Sequence, residues 1–550
     1  MTRTRSTAAF AVLLSCLTPA LVAAQDDTTR SHTPQPTTPA ITEGDLRSRL
    51  FIFADDSMQG REAGTEGHLK STDYLATELR ALGLEPAGDS GTYFQSVPLA
   101  RRALDEASAV SVAGQSLAFW TDVVPVRGGV ATEVTPVFAG SLHDSSAWIG
   151  RDGARGRLVV FHAARGPLAL PPMSEGARFE QAAAVGIVVP PQLLLAYGNF
   201  LRRPQLALRQ EQAGTTTPVL LLSDVAAAAL LGSPIESAQP GRTGGSVRAN
   251  VSYSETIVPA RNVIALLPGS NPALRGQYVA VGAHSDHDGV ADAPVDHDSL
   301  RAFNADAERR AQAKGGALTT AERREIQVNV DSLRAIRPPR LDSIYNGADD
   351  DGSGSVAVLE IAEAMSRAAQ KPTRSMLFVW HTAEEKGLIG ADWFTAHPTV
   401  PRDSIVAQLN IDMIGRGGAD DIPGGGPAYL QLIGSRRLST ELGDLVETVN
   451  KQRRVPFQFD YQFDASGHPE QYYCRSDHYM YARYGIPVVF FSTGDHRDYH
   501  QLTDEPQYVN YPHLANVTQL IHDVALSVAN LDHRLVVDQP RPAVGSSCRQ

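Results

Sequence analysis

YVAVGAHSD, residues 278–286, is the stretch of this sequence that decides the fold. Its first six residues lack the alternation of a strand with one face in water, so they are typical of a strand buried on both faces. From Asn262 onward, such runs alternate with helical periods, which predicts parallel βαβ units. We therefore predict an α/β fold in which a mixed, mostly parallel sheet is flanked by helices.

Acids or histidines follow each of the buried runs. The runs at 278–283, 376–380, 407–411 and 487–491 lead, in that order, to His284, Glu384-Glu385, Asp412 and Asp498-Tyr499-His500. The carboxyl ends of strands share one edge of an open parallel sheet, so residues far apart in the chain are expected to converge there. Two adjacent acids alone are more often a solvated turn, but their position after a buried strand favours a functional site.

His284 is followed two residues later by Asp286. Successive side chains of an extended segment alternate, so this spacing puts both side chains on one side of the chain. Asp286 is then placed to hold the imidazole of His284 from behind, as carboxylates do for metal-binding histidines. The plainer alternative is a surface pair.

Asp350 lies in a different setting, the acidic stretch NGADDDGSG at 346–354 ahead of an amphipathic helix. One alternative for these acids is a helix N-cap. Another is a calcium-binding loop that starts at Asp349 and has Glu360 at its twelfth position. Such a loop needs a helix directly before it, which the prolines at 338–339 disfavour. The residues alone do not choose among the three consecutive acids.

The length of 550 residues exceeds what one hydrophobic core usually organises, which favours more than one domain. Short apolar runs between turn residues predict a smaller, β-rich insert. A charged stretch with helical character at 302–310 and 320–336 interrupts the later strand-helix alternation. The predicted parts are a signal peptide at 1–24, a flexible linker at 25–42, catalytic-domain segments at 43–108 and 251–535, the insert at 109–250, the excursion at 288–344 and a tail at 536–550.

Composition and the amino-terminal residues predict an exported protein. A formal net charge of -12 with no dense basic run in the mature region argues against a nucleic-acid partner. A basic start, an apolar stretch and small residues before Gln25 form an export signal, so we expect a secreted or periplasmic protein. A lipid anchor at Cys16 is the second choice. No later run has the apolar length of a transmembrane helix, and Cys474 and Cys548 could form one disulfide.

Several strings of the second half together resemble a known enzyme family. The chain resembles the co-catalytic zinc exopeptidases of metallopeptidase family twenty-eight, the group of bacterial leucyl aminopeptidase and glutamate carboxypeptidase. The matching strings are GAHSDH at 282–287, NGADDDGSG at 346–354, HTAEEKGLIG at 381–390, LNIDMIG at 409–415, SDH at 476–478 and DYHQLTD at 498–504. They occur in the family's order across the catalytic domain.

The resemblance implies the zinc exopeptidase fold, two zinc ions per chain and a role for each site residue. His284 and Asp412 would complete one metal site, and Glu385 and His500 the other. The bridging ligand would be the middle acid, Asp350. Glu384 would be the catalytic base. The remaining site residue, Asp286, is placed behind His284 by spacing and not by the resemblance. The choice of His500 over His496 or His478 also rests on the resemblance.

Two parts of the chain stand apart from the catalytic strings. The insert resembles a protease-associated domain in Gly156–Phe161 and in the stretch 182–189. The excursion departs from the family pattern, and its alternatives are a solvated helical segment and a lid over the neighbouring site.

The expected function is an aminopeptidase that acts on peptide substrates. Two metals can share a bridging water, lower its pKa and polarise the scissile carbonyl, while Glu384 moves the proton. If Arg416 or Arg475 binds a carboxylate, the enzyme would be a carboxypeptidase or dipeptidase instead. A single-zinc glutaminyl cyclase and a non-enzymatic binding protein of the same fold are the remaining alternatives.

Overall fold

The computed structural model of the chain describes residues 32–127, 129–163, 179–209, 217–419, 421–422, 424–542, 548 and 550. The expected signal peptide at 1–24 and the alternative anchor at Cys16 lie outside these residues. In the part of the chain that the structure describes, no helix combines the length and apolar character needed to cross a membrane.

Helices cover both faces of the main sheet and form most of the excursion. The described α-helices are α1 Glu43–Phe53, α2 Glu66–Ala81, α3 Arg151–Ala154, α4 Pro191–Leu201, α5 Asp224–Leu231, α6 His297–Lys314, α7 Thr320–Arg324, α8 Val330–Ile336, α9 Gly354–Arg367, α10 Ile389–Ala396, α11 Thr440–Lys451, α12 His478–Ala482 and α13 Tyr511–Ala529.

The strands are short and fall into five sheets. They are β1 Glu85–Pro86, β2 Phe94–Ser96, β3 Leu99–Leu104, β4 Ala109–Val112, β5 Gln115–Leu117, β6 Val123–Arg127, β7 Val130–Val134, β8 Pro136–Ser141, β9 Leu158–His162, β10 Ala184–Val188, β11 Gln205–Leu208, β12 Val219–Leu222, β13 Val247–Val251, β14 Tyr253–Val258, β15 Arg261–Leu267, β16 Tyr278–His284, β17 Gly289–Asp296, β18 Leu341–Tyr345, β19 Ser375–His381, β20 Ile405–Ile411, β21 Tyr429–Ile433, β22 Gln458–Asp460 and β23 Val488–Ser492.

The main sheet has nine strands in the order β1-β15-β19-β16-β20-β23-β21-β22, with β2 also paired to β15. Its centre, β19-β16-β20-β23, is parallel throughout. Antiparallel pairs flank this centre at β15 and β21. The prediction of an α/β fold with a mixed sheet is therefore confirmed, and the parallel strands are those that lead to the candidate site.

The apolar runs are unbroken because both faces of the central strands are buried, as the sequence predicted. Val279 and Val281 of β16 join a core with α9 and α13. Ala280 lies on the other face, in a core with Phe394 of α10 and Tyr481 of α12. A strand buried on both faces has no polar alternation, which is why the sequence reads as continuous hydrophobic segments.

The insert forms separate sheets with a core of its own. Its largest sheet runs in the order β6-β12-β10-β9-β8, and β4, β5, β7 and β13 form a second one. Val160 faces one apolar core, and its neighbours Val159 and Phe161 face another. The chain enters and leaves the insert through β3 and β14, which pair antiparallel from Leu99↔Val258 to Leu104↔Tyr253.

The excursion is a two-stranded stem that carries three helices. Strands β17 and β18 pair antiparallel, with Gly289 opposite Tyr345, and α6, α7 and α8 connect them. The sequence pattern predicted the helical character of this region but not the stem. The stem brings the chain back to the acidic stretch beside the point where it left.

Two segments outside the main-sheet elements are linked to the rest of the protein. In the described part of the expected linker, residues 32–42, Thr37 donates a hydrogen bond to Glu363 over 2.7 Å and Thr38 donates one to Asp45 over 2.8 Å. This stretch is thus tied to α1 and α9, because buried carboxylates there accept its hydroxyl groups. Cys474 and Cys548 form a disulfide with an S–S distance of 2.01 Å.

Candidate metal centre

The predicted site residues lie at the carboxyl-terminal edge of the main sheet. His284 is the last residue of β16, and Asp412 directly follows β20. Glu385 comes after β19 through a turn in which Ala383 has a φ of 54°. His500 lies on a longer loop after β23, and Asp350 lies in the turn that leads into α9. Strand ends thus supply three of these residues directly, and loops supply the other two.

Asp350 lies between the two histidines. Its Oδ1 is 3.1 Å from Nε2 of His284, and its Oδ2 is 3.1 Å from Nε2 of His500. The same His284 nitrogen is 3.7 Å from Oδ1 of Asp412, and the same His500 nitrogen is 3.3 Å from Oε2 of Glu385. We call His284 and Asp412 the inner pair, and Glu385 and His500 the outer pair. Asp350 connects the two pairs, as a bridging carboxylate would.

The other two acids of the triplet, Asp349 and Asp351, accept hydrogen bonds from backbone amides. Oδ2 of Asp351 accepts a hydrogen bond from the amide of His284 over 3.1 Å. Oδ1 of Asp349 accepts one from the amide of Gly415 over 2.6 Å. Glu360, the twelfth residue of the alternative calcium loop, accepts a hydrogen bond from Arg49 over 2.6 Å. These residues therefore do not converge as calcium ligands, and of the three acids it is Asp350 that joins the two histidines.

In both His284 and His500, Nδ1 contacts an oxygen outside the two pairs and Nε2 faces Asp350. Nδ1 of His284 lies 3.1 Å from the backbone carbonyl of Asp286, and Nδ1 of His500 lies 2.9 Å from Oδ2 of Asp288. Nδ1 therefore carries the proton in both rings, and Nε2 offers a lone pair to a metal ion.

The electrostatics of the site call for positive charge between its groups. Two lone pairs of imidazole nitrogens face the oxygens of Asp350, an arrangement that needs a proton or a metal ion in between. Burial lowers the pKa of His500, but hydrogen bonds to Asp288 and Asp350 outweigh it and raise that pKa to about 11. Burial and neighbouring acids hold the pKa of Glu384 well above its usual range. Imidazole and carboxylate donors in this arrangement fit zinc.

Asp286 takes a different position from the predicted one. Its carboxylate Oδ1 is 3.9 Å from Nδ1 of His284, and the contact with the ring comes from its backbone carbonyl. Oδ1 instead accepts a hydrogen bond from the amide of Glu384 over 3.0 Å. The chain is no longer a paired strand after His284, so the alternation on which the prediction depended is lost. The carboxylate of Asp286 thus positions the predicted base, and burial raises its pKa to about 6.

Three supporting residues were not predicted. His287 lies with Nδ1 2.7 Å from Oε1 of Glu385, and Asp288 contacts His500 as described. Ser476 donates a hydrogen bond to Oδ2 of Asp412 over 2.7 Å. All three lie within or next to the quoted strings, but no spacing rule marks them, because their partners come from other strands and loops.

The two alternatives to His500, His478 and His496, lie away from the pairs. His478 is fully buried, burial lowers its pKa to about 3, and its ring packs 4.9 Å from that of Phe490. Nε2 of His496 is 3.2 Å from Oδ2 of Asp349, behind the site. Of the histidines left open by the residues alone, His500 is therefore the one that meets Glu385 and Asp350.

One cavity contains both pairs, the bridging acid and the predicted base. Its lining comprises His284, Asp350, Glu384, Glu385, Asp412, Met413, Tyr472, Arg475, Ser476, Phe490, Ser492, Asp495, Tyr499 and His500. Arg475 reaches this cavity with about a third of its side chain exposed. Arg416 is fully buried and donates to Asp498 over 3.0 Å, so it does not face the cavity.

Residues 262–525 match the family described as Peptidase family M28. Among curated proteins, the chain is similar to leupeptin-inactivating enzyme 1 of Streptomyces exfoliatus, with 49% identity over 14% of this chain and 18% of the relative. It is also similar to leucine aminopeptidase 1 of Aspergillus fumigatus, with 26% identity over 33% of this chain and 47% of the relative. The chain thus spans less than half the length of these relatives.

Solved structures with a similar fold cover most of the chain. An aminopeptidase from Aneurinibacillus sp. strain AM-1 is 16% identical, covers 92% of this chain and 98% of its own, and has a TM-score of 0.48. A zinc aminopeptidase from Bacillus subtilis is 16% identical, covers 89% of this chain and 95% of its own, and has a TM-score of 0.45.

Proposed function

We propose that this chain, which belongs to peptidase family M28 through its residues 262–525, is a two-zinc exopeptidase that removes amino-terminal residues from peptides. The observation that carries the proposal is the bridging position of Asp350, 3.1 Å from one histidine of each pair. His284 and Asp412 would hold one ion, and Glu385 and His500 the other. The family and the printed names of the relatives support zinc and peptide substrates.

Bound ions would supply an activated water and polarise the scissile carbonyl. Glu384 lines the same cavity as both pairs, and its carboxylate would accept the proton of the attacking water and return it to the leaving amine. Asp286 fixes the backbone of Glu384 through its amide. Glu385 would be occupied as a ligand, so the two adjacent acids divide the roles of base and ligand between them.

The surroundings of the two arginines favour the amino terminus of a substrate over the carboxyl terminus. Arg416 is buried against Asp421 and Asp498. Arg475 lies 3.8 Å from Asp495 and 3.7 Å from Glu470, so acids of the protein already balance its charge. Release of carboxyl-terminal residues is the second candidate, because Arg475 is a cation on the cavity wall that a substrate carboxylate could reach.

The remaining finer assignments belong to the same proposal. We infer that the protein is exported by the signal at 1–24 and that the insert at 109–250 is a protease-associated domain. Leucine aminopeptidase 1 is the printed name of the relative from Aspergillus fumigatus, and it supports an aminopeptidase that accepts an apolar amino-terminal side chain.

The test combines a metal count with turnover on matched peptides. The full chain should bind two equivalents of zinc and cleave a peptide with a free amino terminus, also when its carboxyl terminus is amidated, but not its N-acetylated form. Glu384→Gln should lower turnover by a factor of about 100 to 10,000 with both ions retained. Glu325→Gln, in an exposed part of the excursion, is the control and should behave as wild type.

Four results would overturn parts of this proposal. Wild-type turnover in Glu384→Gln would exclude it as the base. Cleavage of the N-acetylated peptide, with loss of activity on the amidated one, would indicate a carboxypeptidase. One equivalent of metal together with cyclisation of an N-terminal Gln peptide would indicate a glutaminyl cyclase, and no turnover on any peptide would favour a binding protein.

A further inference from the structure

The excursion begins inside the candidate site. Its first residue, Asp288, lies 2.9 Å from Nδ1 of His500 and 3.2 Å from the ammonium of Lys386. The stem follows at once, with Gly289 opposite Tyr345, and the chain then returns to the stretch that contains Asp350. The base of the excursion therefore holds one ligand of the outer pair and lies directly before the bridging acid.

The helix α6 of the excursion contacts the segment that carries His500. We call residues 497–505 the His500 segment. Arg301 of α6 donates a hydrogen bond to Oδ2 of Asp498 over 2.8 Å. Asn304, one turn further along, donates one to the hydroxyl of Thr503 over 3.4 Å. The helix thus reaches the His500 segment on both sides of His500.

Asp498 is the buried centre of these contacts. Its carboxylate is fully shielded from solvent and accepts hydrogen bonds from Arg301, from Arg416 over 3.0 Å and from Thr503 over 2.7 Å. The guanidinium groups of Arg301 and Arg416 balance the charge of this buried carboxylate. Removal of one arginine from a buried carboxylate leaves charge uncompensated, which weakens the whole contact.

A second link joins the start of α6 to the end of the same segment. Nε2 of His297, which is fully buried, lies 3.1 Å from Oε1 of Glu505. Asp342 of β18 lies close enough for the three residues to resemble a metal site. However, the guanidinium of Arg340 contacts Nδ1 of His297. A guanidinium only donates hydrogen bonds, so Nδ1 accepts and the proton is on Nε2, which then faces Glu505 as a donor and not as a metal ligand.

We propose that the excursion is a clamp that sets the metal affinity of the outer pair. The inference rests on the proposed binding of two ions. His500 lies on a loop and has a left-handed φ of 53°, so its orientation depends on what holds the His500 segment. If the clamp is loosened, the binding-competent orientation is populated for only a fraction of the time, and the apparent affinity for the ion falls by that fraction. The inner pair lies at strand ends, so we expect the sheet and not the clamp to hold it.

The test compares two arginines of the same helix in the full-length protein. Arg301→Met removes the contact with Asp498. Arg309→Met, the matched control, changes a side chain that is 75% exposed and that pairs with Asp306 on the same helix. Cobalt(II) titration of the metal-free protein, followed by absorption and by calorimetry, measures the two binding steps separately. We expect Arg301→Met to weaken the second step by about 10- to 100-fold and to leave the first unchanged.

Kinetics give a readout that a general loss of structure would not produce. For Arg301→Met, the metal concentration that gives half-maximal activity should rise by the same factor, while kcat at saturating metal stays close to wild type. Arg301→Lys keeps the charge opposite Asp498 and should restore part of the affinity. Asn304→Ala is a milder change, and it should weaken only the second step even if Arg301→Met does not fold.

The outcomes separate this inference from the proposed function. If the wild-type chain binds fewer than two ions, the proposed function fails. If it binds two and both Arg301→Met and Asn304→Ala bind the second ion as tightly as wild type, the clamp is wrong. Equal weakening of both steps would also overturn it, because the excursion would then support the fold and not the outer pair.

Discussion

The inner and outer pairs offer the same kinds of donor group, one imidazole and one carboxylate each, from different parts of the fold. His284 ends a central parallel strand and is 1% exposed, and the neighbouring Asp412 follows the adjacent strand β20. His500 is 32% exposed and lies on a loop whose conformation depends on Asp288 and on the excursion. The comparison indicates that the main sheet positions the inner pair. In the outer pair, His500 is held by Asp288, the first residue of the excursion. The two pairs should therefore respond differently to substitution.

The largest expected effect comes from replacing the histidines themselves. His284→Ala and His500→Ala should each lower turnover by a factor of about 1,000 or more, because loss of a metal ligand removes several kcal/mol of transition-state stabilisation. Their metal-free forms should differ. His284→Ala should lower the unfolding temperature, because it leaves a gap at a buried strand end, whereas His500→Ala should not. Thermal unfolding without metal and metal counting on both variants test this, and equal losses of stability would contradict the comparison.

A smaller effect is expected from the residues behind the ligands. Ser476→Ala removes the hydrogen bond to Asp412, and Asp288→Ala removes the acceptor of His500. Each should weaken one metal-binding step by about 10- to 100-fold, Ser476→Ala at the inner pair and Asp288→Ala at the outer pair. Asp292→Ala, an exposed acid of the stem, is the control. Weakening of the same step by both variants, measured by cobalt titration, would break the distinction between the pairs.

The last prediction concerns acid stability beside the inner pair, with the smallest effect on metal binding. His68 is fully buried, burial lowers its pKa to about 3, and its Nε2 lies 3.1 Å from the hydroxyl of Ser285, next to His284. The unfolded chain takes up a proton near pH 6.5 and the folded chain does not, so this residue makes the free energy of unfolding fall as pH drops from 6.5 toward 3. The expected slope is about 1.4 kcal/mol per pH unit.

His68→Gln keeps a hydrogen-bond donor but cannot take up a proton in this range. Urea unfolding of wild type and variant between pH 7 and pH 5 should show a smaller loss of stability in His68→Gln. Parallel curves for the two proteins would show that His68 does not contribute to the acid sensitivity.

Reasoning from strand ends predicts only those site residues that the main sheet itself positions. Buried runs placed His284, Glu385 and Asp412 at one edge, because parallel strands share that edge whatever their order. It could not select Asp350 or His500, since both lie on loops and their positions depend on contacts such as Asp288 with His500. The resemblance to a family supplied those two residues.

The end of regular strand structure also explains why the side-chain contact of Asp286 differs from the prediction. Asp286 was expected to hold His284 by its side chain, but regular alternation ends with β16, and the side chain instead meets the amide of Glu384. His287 and Asp288 were overlooked for the same reason. For residues 32–42, a polar composition predicted a free linker, yet Thr37 finds an acceptor on α9 that no local pattern reveals.

The insert and the excursion are each joined to the rest of the protein by one antiparallel strand pair, and this affects how readily their lengths can change. At β3 with β14, and again at β17 with β18, the chain comes back beside the point where it departed. Loop-closure entropy grows only slowly with the number of residues enclosed, so lengthening either interruption costs the rest of the domain little. The excursion thus adds little to the chain-entropy cost of folding this protein, and under the proposed clamp its effect depends on the few side chains of α6 that contact the His500 segment.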